Sequence, residues 1–407
     1  MRILFITQWF QPEPFLKGVP FAKELMRRGN EVEVLTGFPN YPGGKLYPGY
    51  KVKFFQRERI EGIDVVRVPL YPNHDNSSIG RFMNYASFAL SAATLGPCLV
   101  KKADVAYVYN PPSTVCFSAG MLKLLRGIPL VYDIQDLWPE SLADSEMFQS
   151  KIGMWLVDRF CRFYYHVADK IVVLSPGYKD ELIKRGVPSD KVEVIYNWCD
   201  DTQIKPVPKS PALADQLGFT GRFNIVFAGN MGKAQSLGAV LDAAKIVEPG
   251  YPDVQFVFIG GGVDVENLKK KAADLNLKNT LFLKSRPISE ISDVLALADV
   301  LLVHLKEYPL FKITIPSKIQ AYLRAGKPIL VAVRGNAADL ATASGAGIKC
   351  EPENPSSIAD AAIKFRLLSS SQLETMGACG RKFYDENLAL SIGVTKFEKI
   401  FESAIRR

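Results

Sequence analysis

A β-branched, apolar run at residues 224–228 ends in Gly229-Asn230-Met231-Gly232-Lys233-Ala234-Gln235-Ser236, and a helical pattern follows. A strand, a tight glycine turn and a lysine at a helix start suit an anion. The first N–H groups of a helix lack intrahelical acceptors, the helix dipole is positive there, and glycine lets a phosphate approach the backbone. There is no G-K-[ST], so this is not a Walker loop. Glycine turns also precede helices for purely steric reasons, and the segment alone leaves both readings open. A second cluster is Lys312 with Pro316-Ser317-Lys318-Ile319-Gln320, running into a helix that ends before Gly326-Lys327-Pro328. Ser317 reads as an N-cap, and Lys318 as a cation at the end of a helix that repels cations unless an anion is near. Lys233, Lys312 and Lys318 are therefore candidates to converge on one diphosphate, the alternative being ordinary solvated lysines.

A third segment, Asp133-Ile134-Gln135-Asp136-Leu137-Trp138-Pro139-Glu140-Ser141, follows an apolar run at residues 130–132. Two carboxylates, an amide and an indole beyond a strand's carboxyl end form a polar site placed to meet hydroxyl groups, or else a capped helix start with Pro139 in its first turn. Fourth, Phe38-Pro39-Asn40-Tyr41-Pro42-Gly43-Gly44 demands a fixed loop after another strand, and loops there often line sites. Gly260-Gly261-Gly262 is similar but less specific.

These segments need elements to hold them. Apolar runs at residues 2–7, 32–36, 65–68, 105–109, 130–132, 171–174 and 192–195 alternate with helical patterns, the first at 21–28. The alternation implies a parallel sheet covered on both faces. The Lys-Pro-Val-Pro-Lys-Ser-Pro composition within 204–211 can continue neither helix nor interior strand and marks a linker. Beyond it the alternation resumes, with strands at 224–228, 255–259, 280–283, 300–303, 328–333 and 347–349, and a last helix at 394–406. The expected organisation is an α/β protein of three segments: 1–203, 204–385 and 386–407. Ligands of such sheets bind beyond the carboxyl ends of the strands.

With 407 residues, 48% of them apolar and 23% charged, the chain has material for two or three domains and is neither disordered nor fibrous. Six cysteines are scattered singly, which favours a reducing compartment, and residues 3–6 are too short an apolar run for a signal peptide. A cytoplasmic protein is expected. A multi-histidine metal site would need all three of His74, His166 and His304. The net charge of +8 is concentrated early, with 16 Lys/Arg against 9 Asp/Glu up to Arg126. That bias suits an anionic membrane surface or a phosphate-bearing substrate; no motif for nucleic acid accompanies it. Residues 82–100 are free of charge, yet polar residues and Pro97 argue against a membrane span. The readings left are a buried crossover helix and a helix resting in the membrane interface.

Taken together, Thr36–Gly44, Asp136–Ser141, Gly229–Gln235, Pro316-Ser317-Lys318 with Ala325–Pro328, and Tyr196–Asp200 resemble family 4 glycosyltransferases of the GT-B fold, in the WbuB-like branch that builds O-antigen and capsule oligosaccharides. The resemblance implies two doubly wound Rossmann-like domains facing across a cleft, with a C-terminal helix crossing back to the first domain. It also implies retaining transfer from a nucleotide sugar, usually UDP-linked, with the donor held by the second domain and the acceptor by the first. Donor binding is expected at Gly229, Asn230, Lys233, Arg286, Lys312, Ser317, Lys318 and Gln320, and acceptor binding at Gly18, Asn40 and Tyr41.

Two departures from the family pattern stand out. Its two glutamates eight residues apart correspond to Lys312 and Gln320, and the arginine and lysine of its glycine turn to Asn230 and Gln235. Gln320 can still accept hydrogen bonds; Lys312 cannot. There is no Asp-x-Asp metal clamp, and no metal or cofactor is expected besides the UDP-sugar co-substrate. Without an identifiable nucleophile and acid pair of the hydrolase kind, same-face attack is expected, with Asp136 orienting the acceptor hydroxyl. The expected donor is the UDP derivative of an N-acetylated or deoxy sugar. The expected acceptor is a polyprenyl-diphosphate-linked saccharide at the inner face of the cell membrane. A UDP-sugar epimerase of the same fold and a non-catalytic sugar-binding receptor remain the alternatives.

Overall fold

The computed structural model describes residues 1–73, 78–144 and 150–406, so His74 lies outside the described residues. The chain divides into two compact units, the first comprising Met1–Tyr196 and the chain from Gly393 onward, the second Asn197–Ile392.

Unit 1 contains β1 (Arg2–Ile6), α1 (Val19–Arg27), β2 (Glu31–Gly37), β3 (Gln56–Ile60), β4 (Ile63–Val68), α2 (Ser78–Leu99), β5 (Val105–Asn110), α3 (Val115–Arg126), β6 (Leu130–Ile134), α4 (Glu140–Asp144), α5 (Lys151–Val167), β7 (Lys170–Val173), α6 (Pro176–Lys184) and β8 (Val192–Val194). The sheet order is β3-β4-β2-β1-β5-β6-β7-β8, parallel throughout except for β3 against β4. Every residue of β5 and β6 is buried, the pattern of strands covered on both faces. Edge strand β3, Gln-Arg-Glu-Arg-Ile, alternates half-buried and exposed positions, and an apolar-run reading misses it for that reason.

Unit 2 contains α7 (Pro211–Leu217), β9 (Phe223–Ala228), α8 (Gly238–Val247), β10 (Val254–Ile259), α9 (Val265–Asp274), β11 (Thr280–Leu283), α10 (Ile291–Ala296), β12 (Val300–His304), α11 (Pro309–Ile313), α12 (Ser317–Ala325), β13 (Ile329–Ala332), α13 (Asn336–Ala343), β14 (Gly347–Lys349), α14 (Pro355–Arg366) and α15 (Ser370–Asn387). Its six strands run parallel in the order β11-β10-β9-β12-β13-β14. Helix α16 (Leu390–Ile405) returns the chain to unit 1, where Phe397 packs on Phe21 of α1 at 5.0 Å and on Tyr107 of β5 at 5.4 Å.

Both sheets reverse direction once, at β1/β5 and at β9/β12. At such a point neighbouring connections leave toward opposite faces and open a crevice beyond the strand ends. The segments with candidate chemistry follow these strands or their neighbours. Right-handed crossovers put α2, α3 and α5 on one face of the first sheet and α1 on the other. Residues 82–100 form most of α2, whose inner side buries Asn84, Phe88 and Ala92 while Phe82 and Leu90 are exposed. Among the described residues no helix is long and apolar enough to cross a membrane.

Candidate functional site: a phosphate cradle and an isolated carboxylate

In unit 2 the loops after β9 and β10 continue the parallel ladder past the strand ends. Gly229 N–H donates to Ile259 O at 2.8 Å and Met231 N–H to Gly261 O at 2.7 Å. The approach leaves no room for side chains, since a Cβ on Gly260 would lie 2.0 Å from Gly229 O. Gly260 also holds φ +144°, a conformation that L residues rarely adopt. The glycines thus set the shape of a pocket of about 370 Å³ lined by Gly229, Asn230, Gly260, Gly261, Ser285, Arg286 and Ile291. Arg286 reaches it while paired with Glu290 at 3.3 Å, and Asn230 is exposed.

Helix α12 is pinned to the end of β9 by Tyr322, whose buried hydroxyl accepts from Ala228 N–H at 3.0 Å and reaches Ala228 O at 3.3 Å. Lys318 lies one turn earlier on the same helix face. Its ammonium is held over the Phe227 ring at 4.7 Å, and a Cβ on Gly229 would meet its Nζ at 2.6 Å. No carboxylate pairs with it among the described residues, and burial pushes its pKa below the ordinary lysine value. A cation is thereby held, unneutralised, beside a glycine turn at the positive end of a helix.

The other expected donor residues fall differently. Pro316, extended at φ −60° and ψ 136°, takes the cap position expected of Ser317, so Ser317 becomes the first helical residue and its side chain stays exposed. Lys312 is held 3.1 Å from Glu307, whose carboxylate also takes Arg334 at 2.7 Å, and so its charge is already neutralised. Lys233 is exposed on the glycine turn. Gln320 is buried at 1% exposure and, with its amide turned so that the nitrogen faces Pro316 O at 3.0 Å and Ser317 O at 3.2 Å, it serves the helix's own backbone and is not open to a ligand. Gln235 closes its own turn by accepting from Gly232 N–H at 2.9 Å.

Sequence reasoning missed the support beneath this turn. His304, at the end of β12 and 1% exposed, donates from Nδ1 to Gln235 O at 2.7 Å and accepts at Nε2 from Glu353 N–H at 3.1 Å. Those roles define a neutral imidazole, and burial lowers its pKa. Glu353 in turn accepts from the Ser236 hydroxyl and from Glu307 N–H, both at 2.7 Å, tying the glycine turn to the loop after β12. The signal available was a lone histidine ending an apolar strand, which spacing alone does not connect to a turn 69 residues away.

In unit 1 the polar segment after β6 separates into two roles. Asp133 is wholly buried, 2.6 Å from an equally buried Lys17, and also accepts from Tyr107 and Gln135. It belongs to the core. Asp136 differs: its carboxylate has no hydrogen-bond donor among the described residues, and burial pushes its pKa up to about 6. Tyr85, which feels the Asp136 charge, lies 6.4 Å from both Trp9 and Trp138, and Trp9 stacks on Tyr41 at 4.4 Å. Trp9, Tyr85 and Trp138 are buried, so these rings are packed among themselves, and Tyr41 is the member of the group left partly open.

Among the expected acceptor residues, Tyr41 is half-buried in this aromatic group. Asn40 is not open to a ligand: at 1% exposure, its amide donates to Phe38 O at 3.0 Å and accepts from Asn84 at 3.1 Å. Gly18 packs against Gln11 and Phe15, where a Cβ would come within 2.6 Å of the Gln11 amide. A missed residue organises the loops: Glu13, 1% exposed, accepts from Asn40 N–H and Tyr41 N–H at 2.8 Å and Phe10 N–H at 3.1 Å. Burial raises its pKa to about 7 against the pull of those donors.

Two Rossmann-like units, one with a glycine turn beside Lys318 and one with a carboxylate that has no donor among the described residues, set the fold class, and comparison with known proteins gives the family. Residues 20–198 match the glycosyl transferase 4-like domain and residues 211–383 the glycosyl transferases group 1 domain. The chain belongs to the GT-B glycosyltransferases built from these two domains. It is 27% identical to the probable glycosyltransferase WbjE of Pseudomonas aeruginosa, over 73% of this chain and 74% of that one. To the putative colanic acid biosynthesis glycosyl transferase WcaI of Escherichia coli it is 26% identical, over 80% and 82%. In fold it resembles Anabaena HepE, solved with UDP and glucose (TM-score 0.68, 17% identity, 98% of this chain and 99% of that one). It also resembles the E. coli trehalose-6-phosphate protein bound with UDP-2-fluoro glucose (TM-score 0.72, 12% identity, 98% and 99%).

Proposed function

We propose that this glycosyltransferase takes a UDP-linked N-acetylated or deoxy sugar and transfers it, with retention and without a metal, to a polyprenyl-diphosphate-linked saccharide in surface polysaccharide synthesis. It would work in the cytoplasm as a peripheral protein at the inner face of the membrane. The observation that carries the reading is Lys318, a half-buried ammonium with no anionic partner among the described residues, held at Gly229 where α12 begins. Breaking the sugar–diphosphate bond puts negative charge on the leaving diphosphate and positive charge on the ring. Lys318 and the free N–H groups of α12 stabilise the first. The acceptor hydroxyl attacks from the face the diphosphate leaves; its oxygen bonds to the anomeric carbon and its proton passes to a departing phosphate oxygen. Asp136 accepts a hydrogen bond from that hydroxyl and orients it.

The structural neighbours solved with UDP or a UDP-sugar bound, and the similarity to the putative colanic acid biosynthesis glycosyl transferase WcaI, support the donor and pathway classes. The test is transfer from a panel of UDP- and GDP-sugars to a short-chain polyprenyl-diphosphate saccharide, with the product's anomeric configuration read by NMR. The expected product needs acceptor, keeps the donor's configuration and forms in the presence of a chelator. An altered UDP-sugar formed without acceptor refutes transfer.

A further inference from the structure

The outer helical layer of unit 1 departs from the usual pattern of polar residues facing water. On α2, Ile79, Phe82 and Met83 are exposed, at 76%, 50% and 48%. On α5 the same three helix positions, second, fifth and sixth, carry Ile152, Trp155 and Leu156, exposed at 73%, 60% and 56%. On α3, which lies between them in chain order and contacts both, Phe117 near the start and Leu124 near the end face outward. Each of these helices begins beyond the carboxyl end of a strand. The anchors at their starts therefore gather along the edge of the sheet that also carries Asp136.

The charge of this layer is one-sided. The three helices hold six basic residues, Arg81, Lys123, Arg126, Lys151, Arg159 and Arg162, and one acidic residue, Asp158; Asp158 pairs Arg162 and Asp169 pairs Lys123, both at 2.7 Å, which leaves Arg81, Arg126, Lys151 and Arg159 without a carboxylate among the described residues. Lys151 and Arg159 are exposed among the α5 anchors. Outward apolar and aromatic residues interspersed with cations are the composition of a helix lying in a bilayer interface.

We infer that this layer is a membrane-docking surface: the anchors that open α2, α3 and α5 enter the acyl boundary of an anionic bilayer, with Lys151 and Arg159 at the headgroups. The inference rests on the lipid-linked acceptor proposed above and adds the face that meets the lipid. Docking by these anchors brings the sheet edge bearing Asp136 to the level where a lipid-linked diphosphate lies.

The four tryptophans make the test direct. Trp9, Trp138 and Trp198 are buried, and Trp155 is exposed. The full-length protein should float with vesicles of phosphatidylglycerol and phosphatidylcholine, less so at high salt, and its tryptophan emission should shift to the blue. Trp155→Ser should abolish the shift and weaken vesicle affinity at least ~10-fold. Arg159→Glu should weaken it several-fold, and both variants should bind UDP as the wild type does, which shows that they fold. Flotation of Trp155→Ser equal to wild type overturns the inference, as does wild-type protein that binds UDP and ignores the vesicles. A blue shift that follows protein concentration without lipid, with a dimer in light scattering, also overturns it by assigning the face to a second copy. Flotation without UDP binding would refute the donor reading alone and leave the docking surface supported.

Discussion

Replacing Lys318 by methionine separates what this residue does for the ligand from what it does for the fold. The methionine keeps an unbranched side chain over the Phe227 ring and loses only the ammonium, which sits 4.7 Å from that ring with no anionic partner among the described residues. A charge-assisted hydrogen bond to phosphate is worth about 1.5–3 kcal/mol, so UDP affinity should fall roughly 10- to 150-fold. In the free protein the sign reverses. Burial depresses the lysine's pKa, so its charged form is penalised by folding, and the penalty is relieved only as pH rises from the depressed value toward the ordinary one. At neutral pH the variant therefore loses this penalty together with a cation–π contact of about 0.5–2 kcal/mol, and its stability without ligand should stay within about 1 kcal/mol of wild type. At UDP one hundred times the wild-type dissociation constant, wild type gains about 2.7 kcal/mol, and a variant weakened ~30-fold gains about 0.9. In thermal melts that is a rise of roughly 5–10 °C against roughly 2–4 °C. Equal UDP-induced shifts in the two proteins, or a variant already unstable without ligand, would refute the phosphate role.

Asp136→Asn should leave UDP affinity by calorimetry unchanged and reduce turnover about 10²- to 10⁴-fold. Because the Asp136 carboxyl is pushed up to about 6 and acts as the carboxylate, wild-type kcat/KM should rise with pH through about 6 and level off above it. Glu13→Ala, which strands three backbone N–H groups, should cost about 2 kcal/mol or more of unit 1 stability in chemical denaturation and raise KM for acceptor while UDP affinity stays at wild type. The His304 imidazole is held neutral, so its contribution to stability is present above the ordinary histidine pKa and is lost as pH falls toward the lowered folded value. His304→Phe should lower stability by about 1–3 kcal/mol, weaken UDP binding through the glycine turn and remove that part of the acid sensitivity of the melt.

The alternating apolar runs, the proline-rich break at 204–211 and the glycine turn after residues 224–228 were enough to read two doubly wound units and the family. These signals are local. A buried parallel strand must be apolar along its length, a turn at positive φ selects glycine, and a linker tolerates proline. The position of Lys318 in the first turn of a helix was legible as well, because the helix start is marked by the local Pro-Ser pair before it.

What tertiary structure alone decided is which polar groups are already satisfied. Asp133 and Asp136 stand three residues apart with the same chemistry, yet Lys17, from another part of the chain, neutralises one, and the other has no donor among the described residues. Lys312 and Lys318 differ in the same way, since Glu307 claims the first while Tyr322 steers the second onto Gly229. Partners such as Glu13 for the Asn40–Tyr41 loop and His304 for the glycine turn come from segments 27 and 69 residues away. Electrostatic pairing depends on distances of a few ångströms in three dimensions, and burial fixes its strength; neither is encoded in spacing along the chain.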